Sequence, residues 1–230
     1  MVWAAGLLAE RIRRVAATLL EAAPADIALG DGAAAVRGSP DRRLTFRELA
    51  RAVHFRSNEL RGEEPSLEAT AHFTNSVPWT FTNGAHLAVV EVDVETGAVR
   101  VLRYVAVDDC GRVVNPALVE GQVAGGIAQG LGGALSERCV YDEAGQLLTA
   151  TLMDYAVPAA ADMPALEMHH LETPAPSIPG GFKGAGEAGT TGAPAAILNA
   201  VNDALQPRGV MLSEQPITSE RVWRALHARP

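Results

Sequence analysis

Apolar residues recur at helical spacing from Val2 to Ala22, with Leu8, Ile12, Val15 and Leu19 on one face and Arg11, Arg14 and Glu21 mostly elsewhere. This pattern predicts an amphipathic helix, with Pro24 just beyond its end. Ile27–Leu29 and Ala33–Val36 flank Gly30-Asp31-Gly32 as a small hairpin. Thr45, with Glu48 three residues on, carries a capping signature for a helix through Phe55. The polar stretch 56–68, with Gly62 and Pro65, reads as a surface connection. It divides an N-terminal helical and hairpin lobe, residues 1–62, from a larger lobe, residues 63–230.

Beyond that connection the apolar period shortens to two. Ala85–Val94 alternates, Glu95-Thr96-Gly97 supplies a turn, and Val99–Val107 returns with Val99, Val101, Val105 and Val107 on one face. Asn115-Pro116 opens a long helix from Ala117 to about Cys139, crowded with Gly121, Gly125, Gly126, Gly130, Gly132 and Gly133. Each glycine costs about 1 kcal/mol against alanine in a helix interior. Such a helix must gain from close packing or from ligand approach. Val140–Leu148 carries a turn at Asp142–Gly145, and Leu166–Leu171 reads as a strand. A helix from Pro194 to Leu205 takes its proline in the first turn, and Ser219–Leu226 forms a closing helix. The sum is an α+β protein of mixed sheets and packed helices.

Composition narrows the partners. A net charge of −8 and a pI near 5.2 leave no basic stripe to neutralise phosphates, so nucleic acid is not an expected partner. No apolar run reaches the length of a membrane span. Glu10, Arg11, Arg13 and Arg14 do not fit a secretory signal. Two cysteines, Cys110 and Cys139, are too few for a disulfide framework and suit a reducing compartment; both are expected as buried thiols in a cytoplasmic protein.

Two stretches carry the candidate chemistry. The first is PGGFKGAGEAGTTGAP, Pro179 to Pro194, in which Glu187 is the one acid and Lys183 the one formal charge partner. Its glycines permit close backbone approach to a ligand, and the following helix N-terminus favours anions. The plain alternative is a mobile surface loop with an exposed glutamate. In the second, Gly121 to Gly130, Gln122 and Gln129 lie two helical turns apart on one face, with small residues between them. This makes a bed for a flat polar ligand, or else a tight helix contact rimmed by amides. Other motifs fail. No zinc helix, nucleophile elbow or P-loop is present, and the two cysteines lack zinc spacing. His169 and His170 point to opposite faces of a strand and read as surface histidines. Gly184-Ala-Gly186-Glu-Ala-Gly189 matches a dinucleotide fingerprint in form, but a Pro-rich approach replaces the required strand.

Taken in order, GAHLAVVEVDVETGAVRVLRYVAVDDCGRVVNP, GQVAGGIAQGLGGAL, MDYAVPAAADMP and LETPAPSIPGGFKGAGEAGTTGAPAAILNAVNDAL resemble the molybdenum hydroxylase family. The resemblance is to the C-terminal part of the large subunit of xanthine dehydrogenases and aerobic-type carbon monoxide dehydrogenases. It implies a molybdopterin cofactor with molybdenum, in cytosine dinucleotide or mononucleotide form. It also implies oxidation of an aldehyde, an N-heterocycle or carbon monoxide with water-derived oxygen, electrons leaving through iron–sulfur clusters and FAD on partner subunits. Within Lys183-Gly184-Ala185-Gly186-Glu187, Glu187 matches the family's general base, which accepts a proton as that oxygen attacks the substrate carbon. Gln122 matches the glutamine beside the pterin, with Gly121, Gly125, Gly126, Gln129, Lys183, Gly184 and Gly186 as further cofactor-binding candidates and no protein metal ligand. The chain is several times shorter than a complete large subunit. The expectation is a separate chain for the N-terminal portion, beside iron–sulfur and FAD subunits; the alternative is a non-catalytic module of the same fold.

Overall fold

The structure is a computed structural model that describes residues 2–77 and 79–228. The chain divides into two compact units, Met1–Asn75 and Ser76–Pro230.

In the first unit, α1 (Val2–Leu19) covers a three-stranded antiparallel sheet of β1 (Ile27–Gly30), β2 (Ala33–Val36) and β3 (Ser39–Thr45). Thr45 then caps α2 (Phe46–Phe55) through the expected reciprocal box: its hydroxyl accepts from the Glu48 N–H at 3.2 Å, and the Glu48 carboxylate accepts from the Thr45 N–H at 2.7 Å. Val15, Ile27, Leu49, Val53 and Leu60 form the core. β3 was not expected, because Ser-Pro-Asp-Arg-Arg is an exposed polar edge without alternation. Stretch 56–68 belongs to this unit. Leu60 is fully buried, Arg11 pairs with Glu64 at 2.8 Å and donates to the Glu68 carbonyl at 2.6 Å, and Arg14 pairs with Glu63 at 3.6 Å.

The second unit is built on a mixed sheet. β4 (Asn83–Val92) pairs antiparallel with β5 (Val99–Asp109), and β6 (Leu166–Leu171) runs parallel to β5. Asp93 organises the β4–β5 turn, its carboxylate accepting from the Glu95 and Thr96 N–H groups at 2.8 and 3.3 Å. A bulge corrects the expected face of β5. The register skips Leu102 between the pairs Val90–Val101 and Val89–Arg103. Inward parity therefore changes, and Val101, Tyr104, Ala106 and Asp108 are buried instead of one set of valines.

Two helices complete this unit. α3 (Pro116–Leu135) begins at the Asn115 cap and packs on α4 (Ala188–Leu205), which in turn lies on β4. α3 stops short of Cys139 because the Gly132 carbonyl receives both the Ser136 and Glu137 N–H groups, at 2.9 and 2.8 Å. α4 starts before the expected Pro194, which lies inside it. Proline at that point denies the Thr190 carbonyl its helical donor, yet Gly189 and Ala193 seat the turn against α3. A Cβ on Gly126 would lie 2.7 Å from the Thr190 nitrogen, and one on Gly189 would overlap the Val123 carbonyl oxygen. α5 (Ser219–His227) closes the unit, capped by Thr218. Cys110 is buried, whereas Cys139 is exposed, contrary to expectation, on the irregular segment after α3. Among the described residues no helix is long and apolar enough to cross a membrane.

The glycine loop before α4 is fastened to the end of β5. Asp109 Oδ1 accepts from the Gly111 N–H at 2.9 Å, the Thr173 N–H at 3.1 Å and Lys183 Nζ at 3.2 Å. The Lys183 N–H returns to the Cys110 carbonyl at 2.8 Å, and the Arg112 N–H to the Gly181 carbonyl at 3.1 Å. Hydrogen bonds, led by the Thr173 hydroxyl and joined by these donors, hold the Asp109 carboxyl well below the usual carboxylate range.

Two outcomes follow for stability. Gly189→Ala should lower the free energy of unfolding in urea by about 1–3 kcal/mol through overpacking. Gly125→Ala, with nothing within 4 Å of the new Cβ, should be neutral or stabilising by up to about 1 kcal/mol; equal losses at both sites would contradict a crossing built on close approach. For Asp109 the folded carboxyl is the more acidic one, so its contribution is present above the unfolded value of about 3.9 and lost as pH falls below it. The stability gap between the parent chain and Asp109→Asn should be flat above about pH 5 and narrow below about pH 4. A gap that widens on acidification would exclude the ionised clamp.

Candidate functional site

The α3–α4 crossing gives α3 two unlike sides. Val123, Gly126, Ile127 and Gly130 are buried against α4, whereas Gly121, Gln122, Gly125 and Gln129 are exposed. A Cβ on Gly121 or Gly125 would meet nothing within 4 Å, so this side is an open bed of bare backbone between two amides. Gln129 Oε1 accepts from the Thr190 hydroxyl at 3.1 Å, which steadies its amide. Among the described residues no hydrogen bond engages the amide of Gln122. Gly126 and Gly130 serve the tight helix contact, while Gln122, Gly125 and Gln129 share the free face.

Glu187 is the residue immediately before α4 and is exposed. It makes no side-chain capping bond, and its carbonyl receives the Thr191 N–H at 3.2 Å and the Thr191 hydroxyl at 3.0 Å. The carboxylate is thus held by its backbone alone. Gly189 abuts the carbonyl of Val123, and Glu187 and Gln122 stand two residues and one residue before those two positions. Acid and amide therefore belong to one end of the helix pair. Gly184 and Gly186 are exposed with open space at their Cβ positions. Lys183 differs from the other candidates: its ammonium group is committed to Asp109, with only 10% of the side chain exposed. Among the described residues no three His, Cys, Asp or Glu side chains converge to hold a metal ion.

A second polar group lies on the other side of α4 and was not foreseen. His86 Nδ1 is 2.9 Å from the Tyr104 hydroxyl, and His86 Nε2 is 3.6 Å from Asp108 Oδ1. Burial, and secondarily the Asp108 charge, push the Tyr104 hydroxyl far above its ordinary value. The hydroxyl keeps its proton and shares one hydrogen bond with the imidazole, whose direction follows the histidine tautomer. The sequence signal was a histidine and an aspartate at inward positions of β4 and β5, hidden by the bulge that changes the parity of β5.

Residues 1–164 match the molybdopterin cofactor-binding domain family. The chain is 44% identical over 223 residues to the nicotine 6-hydroxylase large subunit of Paenarthrobacter nicotinovorans, covering 96% of this chain and 27% of that protein. It is 36% identical over 217 residues to the carbon monoxide dehydrogenase large chain of Hydrogenophaga pseudoflava, covering 94% of this chain and 26% of that one. The crystal structure of quinoline 2-oxidoreductase from Pseudomonas putida 86 superposes with a TM-score of 0.81 at 45% identity, over 98% of this chain and 29% of that chain. The chain thus spans little more than a quarter of the length of these relatives. It belongs to the molybdopterin cofactor-binding domain family and corresponds to part of the large subunit of molybdenum hydroxylases.

Proposed function

We propose that this chain forms one wall of the cofactor site in a molybdenum hydroxylase that oxidises an aldehyde, an N-heterocycle or carbon monoxide with water-derived oxygen, and that Glu187 is its general base. The observation that carries this reading is an exposed carboxylate, without a capping bond, at the start of a helix whose partner offers a bare face with a free amide. These residues fit a flat polar cofactor. Gln122 presents both a donor and an acceptor to a heterocycle edge, and the missing side chains at Gly121 and Gly125 let such a ring approach the backbone. Gln129 would hold the far end of the bed, while Gly184 and Gly186 keep the Glu187 loop open to approach.

When bound, molybdopterin, in its cytosine dinucleotide or mononucleotide form, supplies the molybdenum that accepts two electrons from the substrate. The chain's own part is proton transfer. Glu187 accepts the proton of the water-derived oxygen as that oxygen bonds to the substrate carbon, the usual task of a positioned carboxylate. Its placement depends on the Asp109–Lys183 clamp at one end of the loop and the Gly126–Gly189 crossing at the other. The opposite wall is assigned to the remainder of the large subunit, with iron–sulfur and FAD subunits as further partners. Val114, just before α3, and Leu118, in its first turn, are 74% and 68% exposed and form apolar surface suited to such cover.

Glutamine has nearly the shape of glutamate but does not take up the proton, so Glu187→Gln in the assembled enzyme should retain full molybdenum and pterin content. Its turnover should fall by at least about a hundredfold, with Glu172→Gln as the matched control. The Glu172 carboxylate accepts the Val113 N–H at 3.0 Å, a bond the amide oxygen preserves. Near-parental turnover of Glu187→Gln, together with unchanged substrate reduction in a single-turnover assay, would remove Glu187 as the base and return it to an exposed loop residue. Gln122→Ala should reduce pterin occupancy while circular dichroism and the unfolding midpoint stay unchanged. Parental pterin content in that variant would return Gln122 to the rim of a packing contact.

A further inference from the structure

Asp108 and Asp109 are neighbours at the end of β5, and both are buried, at 2% and 4% exposure. Their surroundings are opposite. Asp109 receives backbone donors and the Lys183 ammonium group. Asp108 receives no hydrogen bond at Oδ2, and its nearest partner is His86 Nε2, at 3.6 Å from Oδ1, beyond hydrogen-bond reach. A buried carboxylate oxygen left without a donor is strongly unfavourable.

Beside this carboxylate is a cavity of about 310 Å³, lined by Asp108 and His86 from the sheet and by Thr191, Ala195 and Asn199 from α4, with Asn83 at its edge. The space is kept open by small residues. A Cβ on Gly84 would lie 2.6 Å from Asp108 Oδ1, and one on Gly192 would lie 2.9 Å from the His86 ring. Asn83, Thr191 and Asn199 add side-chain oxygens, all acceptors for N–H groups.

We infer that this cavity is a binding site for a compact cationic N–H donor, a guanidinium or alkylammonium head group, paired with the Asp108 carboxylate. Charge selects a cation over water, since water bonds to the carboxylate oxygen without compensating its charge. The unpartnered Asp108 Oδ2 accepts only, and the amides of Asn83 and Asn199 can turn their oxygens inward, so a cation that carries N–H groups suits the lining. The site lies across α4 from the proposed cofactor bed and needs neither cofactor nor turnover, so it stands or falls independently of the function proposed above.

The test is a titration of the purified chain with methylguanidinium chloride and with methylammonium chloride. Tetramethylammonium chloride and sodium chloride at equal ionic strength serve as controls, and the thermal unfolding midpoint is the readout. At several-fold excess over the dissociation constant, at least one of the two N–H cations should raise the midpoint by about 2–4 °C in a saturable way. Tetramethylammonium, which has no N–H group, should not. The effect should vanish in Asp108→Asn. Ala195→Leu, which fills the cavity and leaves the carboxylate in place, should abolish it as well and covers the case in which Asp108→Asn does not fold. No saturable shift with either N–H cation, an equal shift with tetramethylammonium, or a shift that survives Ala195→Leu would overturn the assignment. In the assembled enzyme the same titration separates the sources: no response means that an arginine or lysine side chain of the assembly already fills the pocket, and a response means that a free cation does.

Discussion

The approach of α3 to α4 at Gly126 and Gly189 is the constraint on which the larger unit turns. Here one backbone rests on the other, with Gly189 against the Val123 carbonyl and Gly126 against the Thr190 nitrogen. Glycine in a helix is costly, at about 1 kcal/mol per residue, and α3 carries six of them. Burial of Ile127, Leu131, Ile197 and Val201 along the same contact offsets that cost, at about 1.5–3 kcal/mol for each fully buried side chain. Two consequences follow from the closeness. The first turn of α4 is fixed within two residues of Glu187, and the far side of α3 is left bare. A crossing spaced by larger side chains would loosen the acid from the face it is proposed to serve.

The end of β5 supplies the second fixed point, and it divides its two aspartates between unlike tasks. Asp109 gathers backbone N–H groups and Lys183, and so ties the glycine loop to the sheet. Asp108 points to the α4 side, where it meets His86 and a cavity. Adjacent residues on a strand face opposite ways. One strand end therefore both anchors the loop that carries Glu187 and leaves a buried charge on the other side of the helix that follows.

Much of this was legible in the chain itself. The Thr45–Glu48 box, the β4–β5 hairpin and the long glycine helix were each written in local pattern, because each depends on neighbours in sequence. Glu187 and Gln122 stood out for a related reason: a lone acid among glycines, and amides at helical repeat, are conspicuous where the background is small and apolar. What escaped depends on contacts distant in sequence. The bulge at Leu102 reverses the inward face of β5 and conceals Asp108. Pro194 inside α4 is tolerable only because α3 seats the turn, and Leu60 joins a core that its polar surroundings hide. Lys183 was read as the charge partner in the Glu187 stretch and as a cofactor-binding candidate, while its ammonium group pairs with Asp109, 74 residues earlier in the chain.

That reassignment of Lys183 clarifies why the loop is built as it is. Gly180 and Gly181 adopt φ values of 94° and 76°, conformations that other residues reach only with strain. The same freedom that permits this backbone path raises the entropy to be lost when the loop is ordered. A segment so rich in glycine does not hold a carboxylate in register unless something beyond local propensity fixes it. An ion pair at Lys183 and a backbone crossing at Gly189 bracket the acid from both sides, four residues before it and two after. Between them Gly184 and Gly186 remain without contacts at their Cβ positions. The loop is thus fastened at its ends and open in its middle, the arrangement that the proposed role of Glu187 requires: accurate positioning with room left for the group on which it would act.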